Sequence, residues 1–174
     1  GLNIDELDSF YDEVKKLNNI NIVGLMGMAT FTDDKDLINA EFKEIEKLFN
    51  LIVFNYLFSN GDAHVKNFSL LETENGDYTL SPAYDLINTR IHVDDSDFAL
   101  SKGLFKDNYI SNEKAKSAKP GKQDFIEFAR RVGIEKEKAE NLLAPFLENQ
   151  EGVARLIENS YLDEPTKRAY LLDY

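Results

Sequence analysis

The sequence contains no cysteine, which excludes a disulfide framework and any thiolate metal site and accords with a cytoplasmic chain. Histidine is nearly as scarce. His64 and His92 stand far apart without a ligand partner at metal spacing, so a histidine-based zinc site is not expected. No apolar run is long enough to span a bilayer; the longest, 48–58, is interrupted by Asn50 and Asn55. The amino terminus lacks the basic-then-apolar pattern of a secretory signal, and it starts at Gly1, as an excised or processed chain would. Basic residues are also few: 20 Lys and Arg against 32 Asp and Glu leave a net charge of −12. A phosphate backbone requires a positive footprint, so this balance argues against direct nucleic-acid binding.

What is abundant is apolar surface. With 43% hydrophobic residues, 12 Phe and 8 Tyr among 174 residues, the chain is too apolar for disorder and fits one domain with a real core. In 3–17, Ile4, Leu7, Phe10, Tyr11, Val14 and Leu17 form a helical stripe that Asn18 and Asn19 end. Residues 20–36 read as a connector, whose Gly24 and Gly27 lack the further glycines and the Lys of a phosphate loop. A long helix is predicted over about 36–58. Its first half carries Phe42, Ile45, Leu48 and Phe49 on one side, its second half is apolar nearly all round, and Asn60-Gly61 supplies the stop.

Two short runs, 68–73 and 78–80, then flank Glu74-Asn75-Gly76-Asp77, and Asn-Gly is the strongest short hairpin signal. An irregular acidic stretch continues to about Lys119. Helices follow over 123–132, 135–148, 153–160 and 164–172, with Gly133 and Gly152 as breaks. Leu142, Leu143, Phe146, Leu147, Leu156 and Ile157 are read as helix-packing core, and Phe105 and Tyr109 as buried against the helices. The fold class is mainly α with one β-hairpin, in a single domain over 1–174 whose first 35 residues are the least determined.

Chemistry concentrates in Asn60-Gly61-Asp62-Ala63-His64-Val65-Lys66-Asn67-Phe68 and Ser81-Pro82-Ala83-Tyr84-Asp85. Phosphoryl transfer from ATP needs an Asp that accepts or orients the proton of the attacking hydroxyl. It also needs a neutral oxygen ligand and a carboxylate to hold magnesium against the phosphates. Kinase catalytic loops place the base and the Asn five positions apart, and Asp62 and Asn67 have that separation. The hairpin then returns Asp85 to the loop. An Asp-x-His-x-x-Asn pattern arises only rarely by chance at average residue usage; the apolar helix before it and the hairpin and Asp after it make the combination more specific. The plainer reading has Asp62 and Asn67 capping a turn. On the same footing His64 is a hydrogen-bonded structural imidazole and Lys66 a solvated loop residue.

These segments, with Asn88-Thr89-Arg90 and Asp97-Phe98-Ala99-Leu100, resemble the HipA-like kinases, the toxin components of bacterial toxin–antitoxin pairs, over about 36–174. Lipid kinases share the Asp-x-His-x-x-Asn loop and aminoglycoside phosphotransferases the Asp-to-Asn spacing; Lys66 and the Pro-Ala-Tyr-Asp ending favour the HipA group. The resemblance implies the large, carboxyl-terminal lobe of a protein-kinase-like fold, using ATP and Mg2+ to phosphorylate Ser or Thr. It implies Asp62 as catalytic base with His64 beside it in the catalytic loop. Asn67 and Asp85 would be the magnesium ligands, and with Lys66 they would form the cofactor-binding set. A protein substrate such as an aminoacyl-tRNA synthetase, a HipB-like antitoxin and a separate N-terminal small lobe are the implied partners. The glycine-containing phosphate loop, strand Lys and autophosphorylated serine loop of such kinases have no counterpart before residue 36, so the chain is expected to be incomplete for activity.

Two other classes stay open. A non-catalytic interaction module, either a degenerate kinase lobe or an antitoxin-holding surface, is disfavoured by the joint presence of Asp62, Asn67 and Asp85. A small-molecule phosphotransferase would need a closed acceptor pocket instead of an open groove. Asp94-Asp95-Ser96-Asp97 lacks the Gly and distal Glu of a calcium loop and is read as part of the activation-segment equivalent, where protein substrates dock.

Overall fold

The computed structural model describes Glu13, Lys16 and residues 35–74, 76–107, 109–148 and 151–173. The helix expected over 3–17, apart from Glu13 and Lys16, lies outside the described residues, as do Asn75 and the connector with Gly24 and Gly27. By packing, the chain divides into Gly1–Ile38 and Asn39–Tyr174. The buried core among the described residues belongs to the second unit.

Helix α1 (Lys35–Leu57) contains neither Pro nor Gly, and its apolar residues recur every three to four positions. Phe49 and Val53, one turn apart, are each 1% exposed and form the centre of the core. Phe42, grouped with that face by periodicity, is half-exposed near the start of the helix. Strands β1 (Leu70–Glu72) and β2 (Tyr78–Leu80) pair antiparallel, with Leu70 opposite Leu80 and Glu72 opposite Tyr78. Gly76 takes φ 80° in the turn, a conformation glycine adopts without a Cβ clash. The hairpin is tied to α1 where the Leu80 N–H donates to Glu44 Oε2 at 2.7 Å. Burial pushes the Glu44 carboxyl up, but bonds from Lys47, the Leu80 N–H and Thr79 outweigh it and leave its pKa below the usual value.

The stretch up to Lys119 is less irregular than its sequence suggests. Helix α2 (Asn112–Ser117) starts at Ser111, whose hydroxyl accepts from the Lys114 N–H at 3.0 Å and donates to Asp124 Oδ2 at 2.6 Å. Six residues are too few for periodicity to reveal. Helices α3 (Lys122–Arg131), α4 (Lys136–Leu147), α5 (Glu151–Glu158) and α6 (Glu164–Asp173) fall close to the expected spans. Gly133, at φ 89°, does end α3, and the Ile134 N–H closes the turn on the Ala129 carbonyl at 2.9 Å. Gly152 is no break: it lies in the first turn of α5.

Phe125 and Ala129 of α3 and Ala139 and Leu143 of α4 complete the core with Ile134. Tyr56 meets Phe125 at 5.2 Å between ring centroids and donates its hydroxyl to the Pro120 carbonyl at 2.7 Å. Leu143 and Ile157 are buried and Leu142 and Phe146 pack against the core, but Leu147 and Leu156 are largely exposed. Leu147 is the last residue of α4, and Leu156 is one position out of step with buried Ile157. Phe105 is buried under the Arg131 guanidinium, which lies 4.6 Å from its ring and 5.1 Å from that of Tyr109. Among the described residues no helix is long and apolar enough to cross a membrane.

Candidate active site

The site begins where α1 ends. Ser59 takes the left-handed conformation, φ 53°, and the Asn60 N–H reaches back to the Asn55 carbonyl at 2.8 Å. The helix therefore stops on Ser59, one residue before the expected Asn60-Gly61, and those two residues have other work. Gly61 gives room. A Cβ there would lie 2.3 Å from the Ser96 carbonyl oxygen and 2.6 Å from Asp95 Cγ, so the 95–96 segment rests directly on its backbone. Thr89 Oγ1 joins the two segments: it accepts from the Gly61 N–H at 2.9 Å and donates to Asp95 Oδ2 at 2.7 Å. Arg90 extends the brace, its guanidinium bonding Asp97 at 2.6 Å.

Beyond Gly61 the chain turns tightly. The His64 N–H donates to the Asp62 carbonyl at 2.7 Å, and a single 3-10 turn (Val65–Asn67) follows. This turn sorts the side chains. Asp62, His64 and Lys66 face solvent, whereas Asn67 is buried. His64 Nε2 lies 3.9 Å from Asp62 Oδ1, within ionic reach but too far for a hydrogen bond.

The hairpin then brings the chain back. The Ser81 N–H donates to the Ser69 carbonyl at 2.8 Å, and the Tyr84 hydroxyl donates to the Lys66 carbonyl at 2.7 Å with Ser69 Oγ 2.6 Å away. Asp85 arrives in the left-handed conformation, φ 56°, and its carboxylate accepts from the Asn67 side-chain amide. Asn67 and Asp85, 18 positions apart, thus meet side chain to side chain. Asp62 connects to them through the loop backbone and not through a direct side-chain contact.

An amide and a carboxylate in contact are hard oxygen donors of the kind magnesium takes, and magnesium is commonly held by one or two carboxylates plus substrate phosphates. Among the described residues no three His, Cys, Asp or Glu side chains cluster as an all-protein metal cage. The chemistry of Asn67 and Asp85, one amide oxygen and one carboxylate, fits a magnesium ion whose other ligands come from phosphate or water. Beside the loop lies an apolar cavity of about 330 Å³, walled by Ile52 and Tyr56 of α1, Ala63 and Val65 of the loop, and Phe98 and Leu100.

In the sequence Asn60 reads only as part of a helix stop, and Tyr84 and Thr89 carry no role of their own. All three stood inside quoted motifs, but the bonds Asn60–Asp85, Tyr84–Ser69 and Gly61–Thr89 span 25, 15 and 28 positions. Spacing alone carries no signal for such contacts.

Residues 13–153 match the sequence profile of the HipA-like C-terminal domain. A protein of Haemophilus influenzae described as "Putative kinase" is 24% identical over 126 residues, covering 68% of this chain and 37% of that protein. "Putative kinase Y4dM" of Sinorhizobium fredii is 37% identical over 91 residues, covering 52% of this chain and 20% of that one. The matches thus span well under half the length of either relative.

Proposed function

The chain belongs to the HipA-like C-terminal domain family, and on that premise we propose that it is the large lobe of an ATP- and magnesium-dependent protein serine/threonine kinase. The observation that carries this reading is the meeting of Asn67 with Asp85 across the hairpin, five positions after an exposed Asp62. In the proposed reaction the acceptor hydroxyl sits at Asp62. Its oxygen forms a bond to the γ-phosphorus of ATP, the bond from that phosphorus to the β,γ-bridging oxygen breaks, and ADP leaves. The hydroxyl proton passes to an Asp62 carboxylate oxygen.

Asn67 and Asp85 would hold magnesium, which neutralises charge on the phosphates. His64, beside Asp62 at 3.9 Å, supports the loop's geometry or meets the phosphates, and exposed Lys66 offers a cation to them. The lysine and the phosphate-covering loop would come from an N-terminal small lobe, so these 174 residues alone bind ATP weakly and do not turn over. A protein substrate, of which an aminoacyl-tRNA synthetase is the type suggested by the resemblance, and a HipB-like antitoxin are the proposed partners.

Two substitutions in the complete protein separate the roles. Asp62→Asn should abolish transfer of labelled phosphate while leaving folding intact, because the Asp62 side chain is exposed and the change preserves its size. Asp85→Asn should weaken ATP binding only when magnesium is present. Wild-type turnover in Asp62→Asn, or unchanged magnesium-dependent affinity in Asp85→Asn, refutes the corresponding assignment.

A further inference from the structure

We propose that Asn60 is the positioning residue for Asp85: its buried side-chain amide holds the Asp85 backbone in the conformation that presents the carboxylate to Asn67. The inference rests on the reading of Asn67 and Asp85 as magnesium ligands. Asn60 is 3% exposed. Its Nδ2 donates twice, to Asn55 Oδ1 at 2.7 Å and to the Asp85 carbonyl at 3.0 Å. Its Oδ1 is buried with no partner. A leucine has the same branched outline and would carry no unsatisfied oxygen, so filling space does not by itself account for an amide at this position.

Asp85 supplies the complementary half of the argument. It is a non-glycine residue at φ 56°, a left-handed conformation that aspartate adopts more readily than most residues but still at some cost. Its side chain is exposed, so packing does not hold it there. Two hydrogen bonds do: its carbonyl takes one from Asn60, and its carboxylate takes one from Asn67. Fixing a residue at both main chain and side chain leaves its carboxylate little freedom. Asn60 is itself anchored to α1 through its N–H and its side chain, both on Asn55. The orientation of Asp85 is thereby referred to the helix that carries the core residues Phe49 and Val53. Groups that orient metal ligands typically change metal affinity or activity 10- to 100-fold when removed.

The test measures ATP affinity by calorimetry with and without Mg2+, alongside phosphotransfer kcat and acceptor KM, in the complete protein carrying this lobe. Asn60→Ala should lower the magnesium-dependent part of the ATP affinity by about tenfold or more and kcat by up to about 100-fold. Magnesium-free ATP affinity and acceptor KM should stay unchanged. Leu143→Ala, a core truncation in α4, serves as a stability control, and Asn60→Ser is a milder second variant.

The proposal is overturned if Asn60→Ala lowers only the melting temperature, or if Leu143→Ala shifts the magnesium dependence equally. It is overturned too if neither Asn60 variant folds while Leu143→Ala does, since Asn60 is then structural. A wild-type protein whose ATP binding ignores magnesium refutes the kinase reading and this inference together. Wild-type magnesium dependence that survives intact in Asn60→Ala refutes this inference alone.

Discussion

Gly61→Ala is the substitution that most directly tests how the loop is built. No left-handed φ is required at Gly61; what the position requires is space. A new Cβ would stand 2.3 Å from the Ser96 carbonyl oxygen, about 1 Å inside ordinary contact, and the atom it meets is backbone and cannot rotate away. Relief requires either the 95–96 segment or the 60–62 loop to move by about that distance. Overpacking of this kind costs about 1–3 kcal/mol. The movement also stretches the Gly61–Thr89 and Thr89–Asp95 hydrogen bonds, each worth about 1 kcal/mol. The expected destabilisation is about 2–4 kcal/mol.

Gly133→Ala provides the comparison. That site is open, so the cost is only that of a left-handed alanine, about 1–2 kcal/mol. Urea denaturation of both variants measures the first effect. Phosphotransfer rate and magnesium-dependent ATP affinity in the complete protein measure the second, since a 1 Å displacement of the proposed catalytic groups can cost about 100-fold in rate. Gly133→Ala should leave nucleotide binding untouched. The reasoning fails if Gly61→Ala is no less stable than Gly133→Ala and binds nucleotide normally.

Two further predictions concern pH. Bonds from Arg130 and then Arg131 hold Glu127 down to a pKa of about 2. The stability it contributes is complete above the unfolded carboxylate range and lost as pH falls towards 2, so the gap between wild type and Glu127→Gln should close on acidification in denaturation curves. Tyr56 is pushed up to about 12 by burial and then by the charges of Asp97 and Asp124. Its contribution is full below pH 10 and lost as pH rises through 12. Tyr56→Phe should cost about 1 kcal/mol at neutral pH, from the lost bond to the Pro120 carbonyl, and should flatten the alkaline loss of stability.

The long apolar helix and the hairpin were legible because each is written in consecutive residues. Phe49 and Val53 repeat at helical spacing, and an Asn-Gly turn signal stands between the two paired strands. The meeting of Asn67 with Asp85 was legible for a related reason: a hairpin is the one tertiary return that local sequence announces. What stayed hidden is of another kind. Asn60 looked like a helix stop because Asn-Gly usually is one, and only the left-handed Ser59 frees it to turn its amide towards Asp85. Gly61 looked like the same stop, whereas the reason for it is a carbonyl 35 residues further on. Leu147 and Leu156 scored as core because apolar residues at helical spacing usually are, and their exposure depends on where a helix ends and which face a neighbour covers. The side chains proposed to carry chemistry therefore announce themselves by residue type and spacing. The side chains that hold them in place do not, because any buried amide or small residue at a turn reads the same until its partner across the fold is known.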